Sequence, residues 1–215
     1  MRTKPVIIIG AGGHGRVLMD ILLDIGIQVI GFLDNDATLQ GKDFCGVPIL
    51  GRDEEIVHYQ NDKLDLVNGI GSTGVASLRR NIYEKFKAHG FHFRQVIHPS
   101  AVISRCAVLD EGVQVMAGAV INIGSRIGEN TIINTRASVD HDCRIGKHVH
   151  IAPGVTLSGG VMVEAETLVG TGSCVIQGIR IGEGSLVGAG SAVIHDVSNH
   201  AMMSGTPAML IRTVK

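Results

Sequence analysis

Hydrophobic and polar residues change their spacing once along this chain, near residue 95. Before that point, short apolar runs such as "PVIIIG" and "LDLVNGIGS" alternate with longer segments whose apolar residues recur at helical spacing, such as "GHGRVLMDILLDIG". Apolar runs that end in glycine are typical of buried parallel strands, and the longer segments are typical of amphipathic helices. This alternation predicts a small Rossmann-like α/β domain over residues 1–95, with a parallel sheet between helices.

The chain repeats every six residues from Val96 onward. In all 17 hexads counted from Val96, the second position is Ile, Leu or Val, without an insertion. A period of six matches neither a helix nor an ordinary strand and is typical of a parallel β-helix. The sixth positions are mostly small residues, which suit tight corners. We predict that residues 96–215 form an all-β domain in which the tail "SNHAMMSGTPAMLIRTVK" caps an exposed strand edge.

Composition and charge restrict the possible functions. The formal net charge of the 215 residues is −1 at pH 7, so we expect no nucleic-acid or membrane partner. We find no signal peptide and no apolar run of about 20 residues, which predicts a cytoplasmic protein. The widely spaced cysteines form no C-x-x-C pair and are expected to be reduced thiols. They are Cys45, Cys106, Cys143 and Cys174.

A glycine-rich turn joins the first predicted strand to the first predicted helix. Gly10, Gly12 and Gly15 form G-x-G-x-x-G, and Asp34 ends the next strand 24 residues after Gly10. Glycine lets the backbone approach a phosphate, and a helix N-terminus favours negative charge. The pattern predicts a nucleotide-binding turn, with a tight turn without ligand as the alternative. A dehydrogenase is disfavoured, because about 95 residues lack the second mononucleotide-binding half.

Both halves of the chain resemble one group of bacterial enzymes. The hexads resemble the left-handed parallel β-helix of the hexapeptide acyltransferases, in which three hexads form one coil, and "SGTPAMLI" resembles their closing element. Together with "GAGGHG" and "GFLDND", they resemble the bacterial sugar acyltransferases. This family includes sialic acid O-acetyltransferase-like proteins and the N-acetyltransferases of nucleotide-linked 4-amino-4,6-dideoxy sugars. The resemblance spans essentially the whole chain and implies acetyl-CoA as co-substrate, no metal, and a homotrimer.

The resemblance also implies which residues bind the nucleotide sugar. Arg79 matches a basic position on the second helix, with a solvated surface charge as the alternative. The other implied residues lie in the glycine-rich turn, at the end of the second strand, and in the turn after the third strand. They are Gly10, Gly12, Gly13, His14, Gly15, Asp34, Asn35, Gly71 and Ser72.

The strongest catalytic signal is the segment "NTRASVDHDCRIG", residues 134–146. An amine that attacks a thioester must lose a proton, and a histidine with a pKa near 7 is a suitable base. The resemblance implies that His141 is this base, that Asp142 orients it, and that Asn134 assists. Because adjacent residues of a strand point in opposite directions, the role of Asp142 requires a coil corner. Asp140 is the alternative partner.

Acetyl-CoA is expected to lie in a groove between adjacent β-helices of the trimer. The resemblance implies that His150 lies near the thioester. The small side chains of Gly159, Thr171 and Ala189 would let the co-substrate approach, with tight coil packing as the alternative. We predict that His148 is solvated. A zinc site is disfavoured, since the spacing of these histidines matches no zinc motif.

The predicted function is acetyl-CoA-dependent N-acetylation of the 4-amino group of a nucleotide-linked 4-amino-4,6-dideoxy sugar in polysaccharide biosynthesis. GDP-perosamine is the first candidate substrate and a UDP-linked 4-amino sugar the second, with direct transfer and no acyl-enzyme. One alternative is a sialic acid-type O-acetyltransferase, which would depend more on His141 because a hydroxyl has a much higher pKa than an amine. The other is a noncatalytic scaffold that binds nucleotide sugars.

Overall fold

The computed structural model describes residues 4–72, 74 and 77–214. Contacts between Cα atoms divide the chain into two compact units. The first consists of Met1–Gly71 together with Leu78–Val96, and the second consists of Ser72–Ser77 together with Ile97–Lys215. The change of hydrophobic spacing near residue 95 therefore coincides with a change from one unit to the other.

Among the described residues, the first unit contains one five-stranded sheet, whose strands lie in the order β3-β4-β2-β1-β5. The strand β1 pairs in parallel with β2 and β5, β4 pairs in parallel with β2, and β3 is antiparallel to β4. All four residues of β1 are buried, which explains its continuous apolar sequence. The strands are β1 Val6–Ile9, β2 Val29–Leu33, β3 Asp43–Phe44, β4 Val47–Gly51 and β5 Asp65–Asn68.

Helices α1 (Gly13–Asp24) and α2 (Ser77–Ala88) follow β1 and β5, and short 3₁₀ helices span Ala37–Leu39 and Asp53–His58. Phe86 of α2 is fully buried and belongs to the same apolar cluster as β1 and β5. All five Phe and both Tyr of the chain occur before residue 95. The first unit therefore has an ordinary core with aromatic rings, and the hexads contain none.

The second unit is a parallel β-helix with three faces. Strands begin every six residues, and each pairs in parallel with the strand 18 residues away, as Val120 with Ser138. One coil is therefore three hexads. The strands are β6 Val96–Ile97, β7 Val102–Ile103, β8 Val108–Leu109, β9 Gln114–Val115, β10 Val120–Ile121, β11 Arg126–Ile127, β12 Ile132–Ile133, β13 Ser138–Val139, β14 Arg144–Ile145, β15 His150–Ile151, β16 Thr156–Leu157, β17 Met162–Val163, β18 Leu168–Val169, β19 Cys174–Val175, β20 Arg180–Ile181, β21 Leu186–Val187 and β22 Ala192–Val193.

The second residue of each hexad strand points into the core of the β-helix. Ile121, Ile133 and Ile151 are at most 1% exposed, and they belong to one continuous apolar cluster. The four cysteines are free thiols; Cys143 is buried in this cluster and the other three are exposed. The aliphatic second positions of the hexads thus form, on each face, a row of side chains that points into the core, which we call the inward-facing ladder.

The corners between strands use backbone conformations with positive φ, which favour glycine. Within residues 97–197, all of which are described, five other residues adopt this conformation at corners. They are Asn130, Arg136, Asp142, His148 and Glu166, with φ between 55° and 60°. The first four occupy consecutive hexads. This run of unfavourable corners coincides with the segment that carries the candidate catalytic residues.

The tail forms an antiparallel hairpin of β23 (Ala201–Ser204) and β24 (Met209–Thr213). Strand β23 pairs in parallel with β21, so the hairpin continues one face of the β-helix and covers its C-terminal edge. Within the described ranges 4–72, 74 and 77–214, no helix is long and apolar enough to cross a membrane.

Ile121→Ala and Ile123→Ala test the inward-facing ladder with the same substitution two residues apart. Ile121 is 1% exposed and Ile123 is 58% exposed. We expect Ile121→Ala to lower the free energy of unfolding by about 2–5 kcal/mol, because it leaves a cavity. Ile123→Ala should change it by less than about 0.5 kcal/mol. Urea denaturation followed by circular dichroism measures both, and equal losses would contradict the assignment of the two faces.

Candidate active site

His141 lies at the corner between β13 and β14, which we call the His141 corner (residues 140–143). Asp142 has φ +60°, so the chain turns sharply between the two strands. The Oδ2 atom of Asp142 lies 2.9 Å from Nδ1 of His141. Adjacent residues of a flat strand could not make this contact. A contact of Asp142 with the His141 ring requires a coil corner, and Asp142 lies at such a corner.

Asp140 contacts the backbone of His141 instead of its ring. Its Oδ1 atom accepts hydrogen bonds from the His141 backbone N–H at 2.8 Å and from the Asn122 side chain at 2.9 Å. The Ser125 hydroxyl donates to the Asp140 carbonyl oxygen at 2.7 Å. Asn122 and Ser125 belong to the preceding coil. Of the two acids that the sequence left open, Asp142 contacts the imidazole ring and Asp140 holds the backbone of the corner.

These carboxylates change the protonation of His141. The hydrogen bond that the Asp142 carboxylate accepts from His141, followed by the charge of Asp140, raises the pKa of His141 above its ordinary value. The hydrogen bond from Asn122, followed by that from the His141 backbone, lowers the pKa of Asp140. The His141 side chain is 50% exposed, so its ring is accessible to a ligand. When Nδ1–H donates to Asp142, Nε2 of the neutral ring is free to accept a proton.

Gly159 lies one coil after His141, against its ring. A Cβ built at Gly159 would be 2.5 Å from both Cε1 and Nε2 of His141. Gly159, which the resemblance placed beside acetyl-CoA, therefore lies against the His141 corner, at the same corner of the next coil. Thr171 and Ala189 are exposed and lie at a different corner, where Gly190 N donates to the Thr171 carbonyl oxygen at 2.8 Å. A single chain does not bring the predicted acetyl-CoA residues to one corner.

Asn134 contacts His150, whereas the sequence predicted that it assists His141. Its Nδ2 atom lies 3.0 Å from His150 Nε2, and its Oδ1 accepts from the Thr135 backbone at 2.7 Å. His150 Nδ1 lies 3.0 Å from the Ser72 carbonyl oxygen, within the same unit. Because a carbonyl oxygen only accepts, Nδ1 carries the proton and Nε2 accepts from Asn134. These contacts fix the orientation of the buried His150 ring, and its predicted acetyl-CoA contact stays a prediction.

The prediction that His148 is solvated is wrong. His148 is 2% exposed, and its Nδ1 lies 2.9 Å from Nδ2 of Asn130. Both residues occupy left-handed corners one coil apart, where the stacking of coils buries their side chains. The 18-residue spacing is the sequence signal that pairs Asn130 with His148 and His141 with Gly159. Among the residues that the structure describes, no cluster of three or more His, Cys, Asp or Glu could hold a metal ion.

In the first unit, a cavity of about 160 Å³ opens where β1 and β2 end, and its lining includes Gly10, Asp34 and Asn35. Ligands of parallel sheets bind at this edge. Asp34 Oδ2 accepts from the Ala11 backbone at 2.7 Å, so it ties the glycine-rich turn to the end of β2. Asn35 Oδ1 accepts from the Asp53 backbone at 3.2 Å.

The glycines of the glycine-rich turn fall into two groups: one allows close packing, and the other leaves open space at the end of a helix. A Cβ at Gly15 would collide with the carbonyl oxygen of Gly10, so Gly15 permits close packing of α1 against β1. A Cβ at Gly12 or Gly13 would meet no atom within 4 Å, which leaves open space at the N-terminus of α1. Such a terminus favours an anionic ligand. Gly71 lies beside His14, with 3.4 Å between a built Cβ and the His14 Cβ.

Arg79 is 1% exposed, so its alternative interpretation as a solvated charge is wrong. Its Nη1 atom donates to the carbonyl oxygens of Asn68 at 3.0 Å and Ile70 at 2.7 Å. The Asn68 side chain donates in return to the Arg79 carbonyl oxygen at 3.0 Å. Burial lowers the pKa of Arg79 to about 9, so the guanidinium is still charged at neutral pH. These bonds support the turn after β5, and a nucleotide contact of Arg79 stays a prediction.

Two family descriptions match the chain: the PglD N-terminal domain over residues 5–86 and the bacterial transferase hexapeptide (six repeats) over residues 124–159. PerB from Caulobacter crescentus, solved in complex with CoA and GDP-perosamine, is 40% identical, and the match covers 97% of each chain with a TM-score of 0.89. A perosamine N-acetyltransferase from Caulobacter crescentus with one histidine replaced by asparagine, also solved with CoA and GDP-perosamine, is 39% identical, and the match covers 97% of each chain with a TM-score of 0.89.

Further relatives agree with these matches. The acetyltransferase domain of PglB from Neisseria gonorrhoeae FA1090 is 33% identical, with 97% of this chain and 100% of that chain covered and a TM-score of 0.89. GDP-perosamine N-acetyltransferase from Escherichia coli O157:H7 is 27% identical over 165 residues, which are 73% of this chain and 71% of that protein. The predicted fold class, a Rossmann-like domain followed by a left-handed parallel β-helix, is confirmed.

Replacement of either acid tests the electrostatics of the His141 corner. We expect Asp142→Asn to lower the pKa of His141, because the neutral amide cannot stabilise the imidazolium as the carboxylate does. Asp140→Asn should lower it less, since that residue acts on the ring only through its charge. NMR titration of the His141 ring protons measures both changes. An unchanged pKa in Asp142→Asn would contradict the assigned ring partner.

Proposed function

The chain belongs to the bacterial nucleotide-sugar N-acetyltransferases of the hexapeptide family, and from this premise we propose its reaction and its substrate. It transfers the acetyl group of acetyl-CoA to the 4-amino group of a nucleotide-linked 4-amino-4,6-dideoxy sugar. GDP-perosamine is the first candidate, because PerB was solved in complex with GDP-perosamine and the Escherichia coli relative is a GDP-perosamine N-acetyltransferase. The observation that carries the proposal is the His141–Asp142 pair at an accessible corner of the β-helix.

His141 acts as the general base of a direct transfer. The amine nitrogen attacks the thioester carbonyl carbon, and Nε2 of His141 takes the proton that the nitrogen loses. The new C–N bond forms, the C–S bond breaks, and CoA leaves as a thiolate that takes the proton from His141. Asp142 stabilises the imidazolium that exists between these two proton transfers. The exposed ring supports this role, because the substrate amine must approach Nε2 within hydrogen-bond distance.

The first unit binds the nucleotide part of the substrate. Gly12 and Gly13 leave room for the diphosphate at the N-terminus of α1, where backbone N–H groups and the helix dipole attract negative charge. Asp34 and Asn35, at the end of β2, line the cavity that would receive the nucleoside. Among the described residues the first unit has a single five-stranded sheet. It therefore lacks the second mononucleotide-binding half that a nicotinamide cofactor would need, which supports nucleotide-sugar binding without hydride transfer.

The active enzyme is a homotrimer with acetyl-CoA bound between copies. Within one chain, Gly159 lies at the His141 corner, whereas Thr171 and Ala189 lie at a different corner. If all three residues contact one acetyl-CoA, a second copy must bring its Thr171 and Ala189 corner next to the His141 corner of the first copy. A cyclic arrangement of three identical chains would generate the same groove three times.

His141→Asn tests the general base. With acetyl-CoA and GDP-perosamine, wild type should release one thiol for each amide formed, and His141→Asn should lower kcat by about 10²–10⁴-fold. Thiol release and mass spectrometry of the sugar nucleotide measure the two products. The matched control is His195→Asn, an exposed histidine of the same unit, which should keep wild-type activity.

The same assay with other acceptors tests the substrate. Selective turnover of a UDP-linked 4-amino sugar would move the substrate to the second candidate. Acetylation of a sialic acid hydroxyl in the absence of amine acetylation would contradict N-acetylation. Nucleotide-sugar binding without any turnover would contradict the enzymatic proposal and favour a scaffold.

The pH dependence of kcat/KM should follow the protonation of His141 in the free enzyme. Activity requires the neutral ring, so it is present at high pH and is lost as the pH falls through the pKa of His141. Since Asp142 raises this pKa, the loss begins at a higher pH than for an ordinary histidine. In Asp142→Asn the acid limb should shift to lower pH while the maximal rate falls. A shift in the opposite direction would contradict the role of Asp142.

A further inference from the structure

Gly159 differs from the corner glycines that surround it. Gly154, Gly160, Gly172, Gly178 and Gly190 have φ between +66° and +74°, and a Cβ at each would meet no atom within 4 Å. These glycines serve the backbone conformation of a left-handed corner. Gly159 has no positive φ, so its conformation is open to any residue. The reason for glycine at this position must therefore be the space that its missing side chain leaves.

The ring of His141 occupies that space. The three nearest atoms to a Cβ built at Gly159 are Cε1 and Nε2 of His141, both at 2.5 Å, and Cδ2 at 3.1 Å. Backbone stacking fixes the distance between the two coils, since Gly160 N donates to the His141 carbonyl oxygen at 2.8 Å. A methyl group at Gly159 could be accommodated only by movement of the imidazole, which is half-exposed and therefore able to rotate away.

A second glycine lies on the opposite side of the pair. A Cβ at Gly124, one coil before Asp142, would collide with Asp142 Oδ1. Gly124 also has φ +77°, so its substitution would combine this collision with backbone strain. The His141–Asp142 pair thus lies in a notch between two positions without side chains. Gly159 is the position where the steric effect can be tested without backbone strain.

We propose that Gly159 is a positioning residue for His141. Because Gly159 has no side chain, the imidazole can occupy the space in which it contacts Asp142 by a hydrogen bond. This inference rests on the proposed function insofar as it concerns catalysis. It differs from the acetyl-CoA contact predicted from the sequence, which would make Gly159 act on the co-substrate directly. The two roles give different results when His141 is removed, since a positioning residue acts only through the residue that it positions.

The experiment is Gly159→Ala in wild type and in a His141→Ala background. In wild type we expect kcat to fall by about 10–100-fold, part of the general-base contribution, with the KM for acetyl-CoA changed less than about twofold. The hydrogen bond to Asp142 should weaken, so NMR titration should show a lower pKa of His141. In the His141→Ala background, Gly159→Ala should cause no further loss of activity and no change in acetyl-CoA affinity by calorimetry.

Gly154→Ala is the matched control. It introduces the same methyl group at a left-handed corner where a Cβ would meet no atom. We expect it to lower the urea midpoint through backbone strain while kcat and the pKa of His141 stay at wild-type values. This variant separates a general disturbance of the β-helix from a specific effect on the His141 ring.

Either of two results would overturn the proposal. One is an unchanged His141 pKa in Gly159→Ala. The other is a further loss of activity or of acetyl-CoA affinity when Gly159→Ala is added to His141→Ala, which would assign Gly159 to the co-substrate. The titration does not depend on turnover. If wild type acetylates no sugar while Gly159→Ala lowers the pKa of His141, the proposed function fails and the positioning role stands.

Discussion

Parallel backbone hydrogen bonds hold each coil of the second unit to the next, as between Asn134 N and the Ile151 carbonyl oxygen at 2.9 Å. Because these bonds recur around every coil, residues 18 positions apart in sequence lie directly above one another. The register leaves the chain no freedom to slide, since a shift of one residue would turn the aliphatic ladder outward. The contacts of Asp140 with Asn122 and of His141 with Gly159, each between residues 18 positions apart, follow from this register.

The catalytic corner is built against local backbone preference. Asp142 occupies a left-handed conformation that costs a residue with a Cβ about 1–2 kcal/mol, and three neighbouring hexads also place such residues at their corners. The packed aliphatic core and the coil-to-coil hydrogen bonds oppose relaxation of this strain. In return, the sharp turn brings the Asp142 carboxylate to Nδ1 of the preceding residue. The preceding coil supplies Asn122 and Ser125, which fix Asp140 and the backbone of the corner.

The two units solve the problem of burial differently. The first packs aromatic rings such as Phe86 and Phe93 between helix and sheet. The interior of the second is filled by small aliphatic side chains repeated every hexad, and no Phe, Tyr or Trp occurs after residue 95. Buried polar side chains in each unit have hydrogen-bond partners, as for Arg79 with the Asn68 carbonyl oxygen and for His148 with Asn130. This follows from the cost of desolvating an unpaired polar group.

The sequence by itself determined the elements that depend on periodicity. The hexad ladder, the strand–helix alternation and the glycine-rich turn with Asp34 are recorded in the local order of apolar residues and glycines, which the sequence displays directly. The choice of Asp142 over Asp140 as ring partner, the contact of Asn134 with His150 and the burial of His148 were decided only by the tertiary structure. Each depends on the direction of a side chain at a corner and on the residue one coil away. Such directions follow from left-handed backbone angles and from stacking, which no linear pattern of hydrophobic residues records.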